Sequence, residues 1–234
     1  MSQPTVIIGG YLSNPGHYED MRRVLEELTG QPCVVASVYL HDWLPTFGPF
    51  GWRWIVDKLE QTVSEVASTS HTGTVTLVAH SAGGTVGRIY LGDASYDGTS
   101  SSGLLYVSDF VTLGSPHGSR IVSRVSGLTR ERGRIADGIA SVNCLAVGGS
   151  VMVGDKHKPG ARRRAYYSYK LHGKNGSEDG DCIVPLSSMF ADGMSRYTMD
   201  GVYHDKVFGL PWYGSKEIVW RWWRRLTQGT PEQP

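Results

Sequence analysis

The residues with the clearest chemical potential are Val78-Ala79-His80-Ser81-Ala82-Gly83-Gly84, where a serine stands between small residues two positions away on each side. An apolar run precedes the serine and helical periodicity follows it, the pattern of a nucleophile elbow. In such a turn the serine backbone is strained, and strand and helix approach so closely that only Gly or Ala fits at positions 79 and 83. The turn exposes the Ser81 hydroxyl at the carboxyl edge of a sheet. It also aims the first helical amide, that of Ala82, at a reacting carbonyl. The bland alternative is a serine that merely caps its helix.

A serine hydroxyl is a poor nucleophile at neutral pH and needs a base that a third group orients. With a strand–elbow–helix nucleophile the expected chain order is serine, acid, histidine. Gly180-Asp181-Cys182-Ile183-Val184-Pro185 offers a carboxylate on a loop, and Gly201-Val202-Tyr203-His204-Asp205 offers the imidazole. Asp181 and His204 are therefore the expected partners of Ser81. Asp179 and Glu178 compete for the acid role, and His117 and His172 for the base. His80 is expected to point away from the site, and His117 to line the substrate pocket. A second oxyanion donor is expected on the loop Gly9-Gly10-Tyr11, with the Tyr11 amide as donor and Gly10 admitting the substrate.

These groups need a scaffold, and the hydrophobic pattern supplies one. Short apolar runs at Thr5–Ile8, 33–40, 74–79 and 106–113 read as strands, and apolar residues at helical spacing mark helices from His17 to Gly30, over 54–66 and over 82–91. This alternation implies one α/β domain over 1–234, a mostly parallel sheet with helices on both faces. Residues 114–164 break the rhythm, with weak helical signal over 119–128 and 134–145. A lid or cap insertion is expected at 118–164, after the strand ending near Leu113. Strand character returns over 164–170 and 196–202, and a closing helix over 216–226 buries Ile218, Val219, Trp222 and Leu226.

Four blocks in order resemble the α/β-hydrolase superfamily, in particular its bacterial lipase/esterase and GPI inositol-deacylase-like branch. They are Ile8-Gly9-Gly10-Tyr11, Ala79-His80-Ser81-Ala82-Gly83, Thr112-Leu113-Gly114-Ser115-Pro116-His117 and Gly180-Asp181-Cys182-Ile183-Val184-Pro185, with His204 closing the set. The resemblance implies hydrolysis of carboxylic esters through an acyl-enzyme, with no cofactor. Two positions depart from the pattern: Gly9 replaces the histidine of many lipases, and Cys182 replaces a common glycine.

Trp43, Phe47 and Phe50 lie in an aromatic segment that suggests one wall of an acyl pocket, so an apolar ester or lipid is the expected substrate. The same residues would also serve a thioesterase or amidase. A non-catalytic protein that holds a hydrophobic ligand is the reading from another class. The formal charge of +1 gives no reason to expect nucleic acid. Between Gly118 and His172, however, eleven Lys or Arg face three acids, which suggests transient contact of a basic lid with a membrane surface. Three widely spaced cysteines suit reduced thiols and no metal site. The absence of an apolar leader suits a cytoplasmic protein, expected as a monomer or weak dimer.

Overall fold

The computed structural model describes residues 2–47, 51–92, 95–120, 122 and 142–228. Six strands form one sheet: β1 (Thr5–Ile8), β2 (Cys33–Val35), β3 (Val75–His80), β4 (Val107–Leu113), β5 (Asn143–Ser150) and β6 (Ser195–Asp200). Their order is β2-β1-β3-β4-β5-β6, and every pair is parallel. Because β2 and β3 flank β1, the strand order reverses at the β1/β3 pair. A crevice opens at such a switch point, outside the carboxyl ends of the strands.

The alternation along the strands explains the two layers. Val6 and Ile8 of β1, Leu77 and Ala79 of β3 and Cys144 and Ala146 of β5 face one buried cluster, while Ile7, Val78, Leu145 and Val147 face the other. Helices α2 (Arg53–Ser68), α3 (Ala82–Tyr90) and the short α4 (Gly103–Tyr106) cover the first face. Helices α1 (Glu19–Thr29) and α6 (Lys216–Gln228) cover the second. The closing helix buries the expected stripe, Ile218, Val219, Trp222 and Leu226, so Trp222 is core packing, while Trp220 on the opposite face is exposed. All three cysteines are buried and unpaired. Among the described residues no helix is long and apolar enough to cross a membrane.

Three expectations are corrected. The strand expected over 33–40 is only Cys33–Val35; the chain then turns at Tyr39, whose N–H the buried Asp42 carboxylate accepts at 2.8 Å. Residues 164–170 are not a strand but part of helix α5 (Ala161–Leu171), which buries Ala165 and Tyr169 one turn apart. Within the span 118–164 expected to form an insertion, Asn143–Ser150 is strand β5, lying between β4 and β6, and not a helix or a cap. The exposed cations Lys156, Lys158 and Arg162 to Arg164 therefore sit on the loop and helix that follow β5. Position 121 and positions 123–141 lie outside the described residues.

Candidate active site

Ser81 follows β3 directly and has φ 53° and ψ −123°, the left-handed conformation that the elbow motif predicts. Holding a non-glycine residue there costs about 1–3 kcal/mol, which the packed strand and helix must offset. Gly83 makes this packing possible: a Cβ there would come within 2.6 Å of the Ile8 carbonyl oxygen. Helix α3 starts at Ala82, so the amide of Ala82 is one of the first-turn N–H groups that have no intrahelical acceptor.

The three residues singled out by chain order lie together. His204 Nε2 is 3.0 Å from Ser81 Oγ, and His204 Nδ1 is 2.7 Å from Asp181 Oδ2. Asp181 is fully buried, and its charge is dispersed over several donors. Its Oδ1 accepts the N–H groups of Ile183 at 3.1 Å and Val184 at 2.8 Å. Its Oδ2 accepts the Tyr213 hydroxyl at 3.0 Å as well as the imidazole. Burial, reinforced by the neighbouring carboxylate, raises the Tyr213 hydroxyl well above its ordinary pKa, so it remains a donor. The backbone adds a further tie, the His204 N–H bonding the Asp181 carbonyl at 2.9 Å.

Sequence reasoning missed Tyr213, which stands in the loop before α6 without a periodic or motif signal. It is as fully buried as the carboxylate it touches, and its oxygen also accepts the Gly149 N–H at 2.6 Å. His80 was expected to point away from the site. It lies instead directly behind His204, the ring centroids 4.8 Å apart and its Nε2 2.9 Å from the His204 carbonyl.

On the loop after β1, Gly10 meets the elbow so closely that a Cβ would lie 2.9 Å from the Ser81 Cβ. Tyr11, next to it, packs its ring on Trp43 at 5.0 Å and bonds Thr46 Oγ1 at 2.9 Å through its hydroxyl. Trp43 itself is 0% exposed and belongs to the core. That corrects its expected place on the pocket wall, since an indole with no accessible surface acts on the site only by supporting Tyr11. Phe50, and the side chain of Phe47, lie outside the described residues.

His117 bonds Thr112 Oγ1 through Nε2 at 3.1 Å and accepts Arg88 Nη1 at Nδ1 at 3.4 Å. Burial and the adjacent guanidinium hold its pKa well below the ordinary value. Both ring nitrogens thus face Thr112 and Arg88 rather than the Ser81 cluster. His172 bonds Ser119 Oγ at 2.8 Å, and burial lowers its pKa to about 4. Neither competitor bonds Ser81.

The architecture is that of the α/β-hydrolase fold. The chain is similar over nearly its whole length to two solved structures. One is the ydeN gene product of B. subtilis, with 15% identity, 96% of this chain, 98% of that one and a TM-score of 0.53. The other is the lin2722 gene product of Listeria innocua, with 14% identity, 100% of this chain, 97% of that one and a TM-score of 0.52. A pyrethroid hydrolase from Sphingobium faniae matches 51% of this chain at 16% identity and a TM-score of 0.34, and the match spans only 42% of that protein. No family model matches the sequence, and no curated protein matches it significantly.

Proposed function

We propose that the chain is a serine hydrolase of carboxylic esters, with Ser81 as nucleophile, His204 as general base and Asp181 as the residue that orients it. The observation that carries this reading is the unbroken line from Ser81 Oγ to His204 Nε2 at 3.0 Å and from His204 Nδ1 to the buried Asp181 at 2.7 Å. Asp181 holds the Nδ1–H tautomer, which leaves Nε2 to accept the serine proton.

As that proton leaves, Ser81 Oγ bonds the ester carbonyl carbon and the carbonyl oxygen becomes an oxyanion, received by the amides of Ala82 and Tyr11. The imidazolium then gives its proton to the departing alkoxide, and an acyl-enzyme remains. His204 next takes a proton from water, whose oxygen attacks the acyl carbon. Return of that proton to Ser81 releases the acid and restores the starting state. The test is steady-state hydrolysis of a short activated ester: wild type should turn over, and Ser81→Ala should lose at least about 1000-fold while keeping its fold. Turnover retained in Ser81→Ala would contradict the assignment.

A further inference from the structure

Behind the base runs a buried chain of hydrogen bonds that the ester chemistry does not itself use. His80 Nε2 is 2.9 Å from the His204 carbonyl oxygen, which can only accept, so Nε2 carries the hydrogen. Burial, with His204 beside it, lowers the His80 pKa to about 3, so the ring is neutral and Nδ1 is an acceptor. The Tyr18 hydroxyl, 2.8 Å away, must then donate its one hydrogen to Nδ1 in preference to Ser13 Oγ, which lies farther off at 3.3 Å. The Tyr18 oxygen in turn accepts the Gly10 N–H at 2.7 Å. Tyr18 and His80 are both almost fully buried, and burial keeps the Tyr18 hydroxyl protonated, its pKa raised to about 12. Every member of the chain is satisfied, and its polarity has one sense: Gly10 to Tyr18 to His80 to His204.

The same turn grips the loop of the base a second time. His17 Nε2 lies 2.8 Å from Asp205 Oδ2, and the Lys206 ammonium donates to the His17 carbonyl at 3.1 Å. Burial alone would raise the Asp205 carboxyl, but contact with His17 brings it down to about 2. The Trp212 ring packs on His17 at 5.3 Å and on His80 at 5.9 Å, covering the chain. His17 thus holds Asp205 and Lys206 directly, while its neighbour Tyr18 reaches the His204 carbonyl through His80.

We propose that Tyr18 and His80 are positioning residues: they tie the loop carrying the oxyanion amide to the main chain of the base, fixing the distance between the two halves of the site. This rests on the assignment of Ser81 and His204 above. It also explains why the donor on this loop is the Tyr11 amide and not that of Gly10, which Tyr18 engages.

The test compares wild type, Tyr18→Phe, His80→Leu and His80→Gln in steady-state hydrolysis of a short activated ester. Tyr18→Phe and His80→Leu should lower kcat by about 10- to 100-fold with KM within about twofold, because displacement of the oxyanion donor affects the transition state more than binding. In His80→Gln one amide supplies the acceptor and the donor that the ring supplied, so it should retain most of the wild-type kcat. A wild-type kcat in Tyr18→Phe, a loss carried by KM, or equal impairment of His80→Gln and His80→Leu would overturn the proposal. A measurement on the wild type needs no variant to fold: nitrogen NMR of the imidazoles at pH 7.5 should show His80 neutral with its hydrogen on Nε2, and a hydrogen on Nδ1 would overturn it. Failure of the wild type to turn over any ester would count against the Ser81 assignment instead, and the NMR result would still decide the hydrogen-bond chain.

Discussion

At the scale of single residues, the site is a set of polar groups held out of water with every charge compensated. Asp181 is the extreme case: fully buried, it accepts two amides, one phenol and one imidazole. Asp181→Asn keeps the shape but favours the wrong histidine tautomer, so kcat should fall by about 10⁴ while the fold persists. Tyr213→Phe removes one donor to that carboxylate and strands the Gly149 N–H. Its stability should drop by about 1–3 kcal/mol in chemical denaturation, with a smaller loss of turnover than Asp181→Asn. The convergence of Ser81, Asp181 and His204 was legible because each stands in a short motif with a chemical reason for its neighbours. Tyr213 and Tyr18 were not, because their roles depend on segments that meet only in the fold. Cys182 belongs to the same lesson: it holds φ 87°, the left-handed conformation that glycine adopts without penalty, which accounts for glycine being common at that position.

Among the elements, the close contact of β1, β3 and α3 governs the site. Position 83 was expected to admit Gly or Ala, but the structure admits only Gly: Gly83→Ala should be severely destabilising, since its Cβ would meet main-chain oxygens at 2.6 and 2.7 Å that cannot move without disrupting the strand end. Gly10→Ala should behave differently. Its Cβ would press on Ser81 itself, so activity should fall further than the denaturation midpoint does. Strands β1, β3 and β4 and helices α1, α2, α3 and α6 were readable because burial on one or both faces imposes a clear period. Two elements misled for identifiable reasons. The run Cys144-Leu145-Ala146-Val147 is short and follows a Gly- and Arg-rich stretch, so the β5 signal was submerged. In α5 the residues Tyr166, Tyr167 and Tyr169 have the intrinsic preferences of a strand, yet the spacing of Ala165 and Tyr169 in the core decides for helix.

For the whole molecule, burial of several imidazoles makes folding depend on pH. His80 stays neutral down to about pH 3 and His172 to about 4 in the folded state, whereas both take up a proton near the ordinary histidine value, about 6.5, when unfolded. Between those values the unfolded chain binds more protons. Stability is therefore complete above about pH 6.5 and declines as the pH falls through that window. The urea midpoint should drop from pH 7.5 to pH 5, and less so in His80→Gln; equal midpoints would refute the point. At this scale the fold brings together residues 81, 181 and 204 at one edge of a parallel sheet beside the switch point. The most direct test of that convergence is labelling with a fluorophosphonate followed by peptide mapping. A single adduct on Ser81 in the wild type, lost when His204 is replaced by alanine, is the predicted result; an adduct elsewhere, or none, would contradict the account.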